Sequence, residues 1–171
     1  IRATFGRGVA RWRAARQCKP LVNDTADAAR LAQRPVLAEV AAADFIASHA
    51  LQEEVFGSAA LVVRVASVNE AIAVLESVGG SLTVTLWGAE SESDDTRRLV
   101  RVATQTAGRV LFSGVPTGVA VAAAQQHGGP YPASTQPFTT SVGYAAVDRF
   151  LRPVALQYAP DWLTARKGVP C

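Results

Sequence analysis

From residue 59 to residue 112 the chain alternates between two hydrophobic periodicities, and few folds satisfy that alternation. Residues 59–65 form an apolar, β-branched run of the kind buried strands carry. In Val68–Val78 the spacing of Ala71, Val74, Leu75 and Val78 predicts a helix with one core-facing stripe. Ser67 is its expected N-cap, Glu70 completes a capping box, and Gly79-Gly80 stops it. Residues 82–87 read as a second strand. A helix then opens at Ser93-Asp94-Asp95, with acids where the helix dipole prefers them, and ends at Gly108. Residues 109–112 are the third strand. Strand, helix, strand, helix, strand packs most simply as a parallel open sheet with flanking helices and right-handed crossovers, an α/β fold. Ligands in such sheets sit beyond the carboxyl ends of the strands, which draws attention to the loop after Phe112.

The flanks are less regular. Residues 3–17 read as a helix, with Phe5, Val9 and Trp12 at helical spacing. Arg2, Arg7, Arg11, Arg13, Arg16 and Lys19 all precede the first acid, Asp24. An acid-poor, basic start can mark a transit peptide or a nucleic-acid patch, but the apolar spacing favours an ordinary helix with a basic outer face. The chain begins with Ile, so a targeting segment has no sequence support. Residues 24–33 read as a short helix, 36–40 as a strand, and 41–51 as loop and helical turn. Residues 113–142 form a long loop dense in Gly, Pro, Ser and Thr, with helical turns expected at 119–124 and 145–151. Residues 153–158 read as a strand-like tail. The expected division is a partial catalytic domain over 1–151 and an oligomerisation strand with its tail over 152–171.

Charge is scarce. Of 171 residues, 49% are hydrophobic and 18% charged, where a soluble domain usually carries about 25% charged. No run approaches the roughly 18 apolar residues of a membrane-spanning helix. The charge deficit therefore points to a surface covered by other polypeptide. Cys18 and Cys171 make neither a disulfide framework nor a metal-ligand spacing, and a reducing cytoplasm is the simpler assumption.

Glu53-Glu54-Val55-Phe56-Gly57 carries the most chemistry. A carboxylate at the mouth of a strand can accept hydrogen bonds from both hydroxyls of a ribose, each worth roughly 1.5–3 kcal/mol. An aromatic ring two residues on can wall a flat heterocycle. In isolation the segment reads more plainly as two solvated acids beside a core phenylalanine.

The rest of the chain shifts that balance. Leu51-Gln52-Glu53-Glu54-Val55-Phe56-Gly57 resembles the Glu-Glu-x-Phe-Gly-Pro segment of aldehyde dehydrogenases. Val110-Leu111-Phe112-Ser113-Gly114-Val115-Pro116-Thr117-Gly118-Val119 and His127-Gly128-Gly129-Pro130-Tyr131-Pro132-Ala133 are similar to the 2,5-dioxopentanoate (α-ketoglutaric semialdehyde) dehydrogenases among them. So are Thr140-Ser141-Val142-Gly143 and Arg149-Phe150-Leu151-Arg152-Pro153-Val154. The resemblance is to the C-terminal portion of that family and runs from Leu51 to about Tyr158. Ser58 departs from the family's proline and Ser113 from its asparagine.

This resemblance implies oxidation of an aldehyde to an acid, with hydride passing to NAD or NADP. A cysteine thiolate is the nucleophile and a glutamate the base. Both belong upstream of the Glu-Glu segment, as does the cofactor domain. Cys18 lies much closer to Glu54 than the family places its nucleophile and lacks glycine-rich neighbours. No catalytic residue is therefore assigned. Glu54 is expected to bind the ribose and Phe56 to contact the nicotinamide side. Gly114, Val115, Pro116, Thr117, His127 and Gly128 are expected to line the substrate pocket. The tail would pair with a neighbouring subunit of a homo-oligomer. Expected partners are the N-terminal half of the enzyme and a small aldehyde, without nucleic acid, membrane or metal. The chain alone is expected to be inactive. Two alternatives stay open: a non-catalytic binding or assembly module derived from the same fold, and a small hydrolase pairing Cys18 with His127.

Overall fold

The computed structural model describes residues 2–22, 35–116 and 118–164. The helix expected at 24–33, Thr117 and Cys171 lie outside the described residues.

Helix α1 (Arg2–Ala14) buries Phe5, Gly8, Val9 and Trp12 along one face and leaves its arginines outside. The basic face is thus the solvent side of an amphipathic helix. A short strand β1 (Lys19–Pro20) runs antiparallel to β2 (Val36–Ala41), and β2 runs parallel to β3 (Ala59–Arg64), with Val36 opposite Ala59. Between β2 and β3 lie two short helices, α2 (Ala42–Ala47) and α3 (His49–Gln52). One core joins these parts: Phe5, Val9 and Trp12 meet Ala38 and Val40 of β2, Phe45, Leu51 and Val55.

Helix α4 spans Val68–Val78, with Ser67 accepting a hydrogen bond from the Glu70 backbone N–H. The Glu70 carboxylate reaches back to the N–H of Ala66, one residue before the position a capping box specifies. Strand β4 (Ser81–Thr85) and helix α5 (Asp94–Thr106, capped by Ser93) follow, then β5 (Ala107–Leu111). Strands β4 and β5 pair in parallel, with Ser81 opposite Ala107 and Thr85 opposite Leu111.

The α/β class holds, but the single sheet expected over 59–112 does not form within these residues. Strand β3 pairs with β2, while β4 and β5 make a separate two-stranded sheet. An apolar, β-branched strand fits either neighbour, and β2 offers six consecutive partners in register. Burial follows the same division. Helix α4 has no fully buried residue, and α5 buries only Ala103. The predicted stripe of α4 is therefore only half covered: Ala71, Val74 and Leu75 are partly buried and Val78 is exposed.

Among the described residues, the loop after β5 holds no helix before a 3₁₀ turn at Tyr144–Phe150. Residues 119–124 give one bend, closed by Gln125 N–H to the Ala122 carbonyl. Residues 153–158 pair with no strand among the described residues, and Val154, Leu156 and Tyr158 stand exposed. No helix of the described residues is long and apolar enough to cross a membrane.

Candidate functional site

Helix α1 shapes the Glu-Glu-Val-Phe-Gly segment. Val55 turns into the core and packs on Gly8, where an added Cβ would overlap the Val55 methyls. Gly57 takes φ +150, and a Cβ there would enter the Phe5 ring. With Val55 inward, Phe56 is turned outward and is 59% exposed. Phe56 is therefore not the core residue of the plainer reading; Val55 fills that role.

The two glutamates have different surroundings. Arg11 Nη1 of α1 lies 2.5 Å from Glu53 Oε2, and His49 Nδ1 lies 3.8 Å from Glu53 Oε1. Glu54 is exposed and has no hydrogen bond or ion pair among the described residues. Both line one open groove of about 720 Å³ with His49, Gln52, Ser81, Thr83, Pro132 and Ala133. Glu54 thus faces part of the Gly-Pro-rich loop.

That loop reaches the groove by crossing the starts of β4 and β5. A Cβ on Gly80 would overlap the Pro130 and Tyr131 carbonyls, and one on Gly108 would overlap the Gly128 carbonyl. Such approaches require glycine. The groove consequently opens at the amino end of β4, rather than beyond the carboxyl ends of the strands.

Thr140, buried at the base of the loop, holds this crossing. Its hydroxyl accepts from the His127 N–H at 2.8 Å and donates to the Val142 carbonyl at 2.7 Å. His127 Nδ1 lies 2.9 Å from Ser141 Oγ, and Ser141 N–H donates to the His127 carbonyl. Gly128 is buried against the start of β5. Gly114, Val115 and Pro116 are exposed and follow its other end, where Arg109 ties the chain back by donating to the Gly118 carbonyl at 2.8 Å. None of Phe56, Gly114, Val115, Pro116, His127 or Gly128 lines the groove that holds Glu54.

Cys18 lies elsewhere. It borders a cavity of about 360 Å³ with Val9, Trp12, Pro20 and Leu37, and His127 is not among the lining residues. Burial, and secondarily the Asp44 carboxylate, push its thiol up from the ordinary value. A thiol held protonated is a poor nucleophile. The Trp12 indole N–H, buried beside it, has no acceptor among the described residues.

Reading the sequence missed Arg11, Arg109 and Thr140. Arg11 sits one position before buried Trp12, so helical spacing places it at the edge of the buried face, but nothing local names its partner. Thr140 belongs to a motif carried by the resemblance, without a role attached.

No family model matches the chain. It is 48% identical over 125 residues to α-ketoglutaric semialdehyde dehydrogenase 2 of Azospirillum brasilense, covering 73% of this chain and 24% of that protein. It is 46% identical over 107 residues to the α-ketoglutaric semialdehyde dehydrogenase of Acinetobacter baylyi, covering 63% of this chain and 20% of that protein. Over that stretch the chain belongs to the aldehyde dehydrogenase family. It spans about a quarter or less of the length of these aldehyde dehydrogenases. The resemblance read from the motifs is thereby borne out.

Proposed function

We propose that this chain forms the C-terminal portion of an NAD- or NADP-dependent aldehyde dehydrogenase that oxidises a short oxo-acid semialdehyde, 2,5-dioxopentanoate, to 2-oxoglutarate. The names of its relatives support that substrate class, and the share of their length that it matches supports a portion of a larger enzyme. The observation that carries the site reading is the unengaged Glu54 carboxylate in an open groove, beside a Glu53 already paired.

An ionised carboxylate only accepts hydrogen bonds, and the two neighbouring hydroxyls of a ribose only need acceptors to be fixed. Glu54 would orient the ribose, and exposed Phe56 would wall the nicotinamide side. When bound, the nicotinamide cofactor supplies the hydride acceptor. Gly114, Val115, Pro116, Thr117, His127 and Gly128 stay proposed as substrate-pocket residues, completed by polypeptide from the N-terminal half. In the intact protein β2–β3 and β4–β5 would belong to one parallel sheet, residues 1–151 to the catalytic domain, and 152–171 to an oligomerising strand and tail. The setting proposed is a cytoplasmic homo-oligomer.

Among the described residues none is placed to act as the nucleophile. Incubated with 2,5-dioxopentanoate and NAD⁺ or NADP⁺, the purified chain is expected to give no aldehyde-dependent absorbance at 340 nm, roughly the reduced-cofactor band used for hydride transfer. Robust turnover would overturn this reading. The exposed Leu151, Val154, Leu156 and Tyr158 also suit the second reading, an assembly module without catalysis. That reading predicts self-association without catalysis and, like the first, only weak cofactor binding.

A further inference from the structure

Two adjacent carboxylates border the groove, and a single guanidinium distinguishes them. Resting on the reading of Glu54 as a ribose ligand, we infer that Arg11 is its positioning residue: it pairs with Glu53 from α1 and leaves Glu54 as the one unpaired carboxylate of the two on the groove. The guanidinium is delivered from a helix whose placement is fixed. Phe5, Val9 and Trp12 are buried in the core, Gly8 abuts Val55, and Phe5 abuts Gly57. The contact from Arg11 Nη1 to Glu53 Oε2 is 2.5 Å, against 3.8 Å from His49 to the other oxygen. Arg11 is therefore the dominant partner, and His49, more exposed than either, is the weaker one.

Without Arg11, Glu53 keeps only the longer His49 contact and becomes a second, weakly held carboxylate beside Glu54 on the same groove wall. Like charges at neighbouring positions disfavour each other's ionised form. A freed Glu53 also competes for the hydroxyls in a geometry one residue out of register. The role is electrostatic and orientational, so removing Glu53 should repair what removing Arg11 damages. A role confined to packing or helix stability would not be repaired that way.

The test uses the 171-residue chain with NAD⁺ as probe, followed by NMR. Arg11→Ala should weaken NAD⁺ binding about threefold, the size expected of one partly exposed charge. Arg11→Lys should keep most of the affinity, and the double variant Arg11→Ala/Glu53→Gln should return to the wild-type value. Independently of any ligand, the ¹³C carboxyl signals of Glu53 and Glu54 are followed at neutral pH. Arg11→Ala should shift the Glu53 signal and displace that of Glu54, and adding Glu53→Gln should return the Glu54 signal to its wild-type position. If Arg11→Ala leaves the Glu54 signal in place, the inference is wrong. It is equally wrong if a folded Arg11→Ala variant loses affinity that Glu53→Gln does not restore. Should Glu54→Gln fail to weaken NAD⁺ binding, the ribose reading falls, and the ligand-free carboxyl signals alone decide the role of Arg11.

Discussion

The ring of Phe5 occupies the space into which a side chain on Gly57 would project. This contact joins the first turns of α1 to the segment that carries Glu54, although the two are far apart in sequence. The Glu-Glu-Val-Phe-Gly segment is thus held from two sides, by Phe5 against Gly57 and by Gly8 against Val55. Its apolar member enters the core while its second carboxylate and its ring stay outside.

Gly57→Ala is expected to destabilise the chain by about 2–4 kcal/mol, combining strain at positive φ with overpacking against a buried ring. Gly6 makes the control: it lies in α1, and an added Cβ meets nothing within 4 Å. Gly6→Ala should stabilise by about 0.5–1 kcal/mol through helix propensity alone. Urea unfolding of both variants checks the pair; equal effects would mean α1 does not bear on Gly57.

Gly108→Ala should loosen the loop crossing without unfolding α5. The added methyl would meet the Gly128 carbonyl, and backbone has to shift to admit it. Amide exchange should rise at Ala133 and Ser141, whose N–H groups bond to Pro130 and His127 within the crossing. Exchange at Ala71 and Arg97, in the first turns of α4 and α5, should stay slow.

Cys18 should resist alkylation. In a Cys171→Ser background, iodoacetamide at pH 7 should react more slowly than with a free thiol, of pKa about 8.5. The rate should still be climbing where a free thiol has levelled off. The sign for stability follows from proton binding. The unfolded chain releases the thiol proton at its ordinary pKa while the folded chain keeps it. Stability is therefore fullest below the ordinary thiol pKa and falls as pH rises through the folded value. Alkylation faster than a free thiol would restore Cys18 as a candidate nucleophile.

What could be read in advance was local. Ser67 and Glu70 announce the start of α4, Ser93 and its acids that of α5, and the spacing of Phe5, Val9 and Trp12 the buried face of α1. Each signal is written within a turn or two of what it controls. Strand pairing is not: β3 carries the same apolar, β-branched pattern whichever strand lies beside it, and its choice of β2 is a long-range event. Gly80 and Gly108 read as helix terminators, but Gly108 lies inside β5, and both glycines admit the Gly128–Tyr131 backbone, which only the folded loop reveals. The site was half legible for the same reason. Sequence shows two neighbouring glutamates; it takes Arg11, on a separate helix, to make them unequal.

The central claim is that Glu54 is presented to the hydroxyl pair of a dinucleotide ribose, and NAD⁺ titration of the wild-type chain beside Glu54→Gln tests it most directly. Wild type should show amide shifts at Ser81, Thr83 and Ala133, which share the groove with Glu54. Glu54→Gln, folded as before, should bind about tenfold more weakly, the low end for one charge-assisted hydrogen bond. Equal affinity in the two proteins, or shifts that avoid those groove residues, would contradict the account.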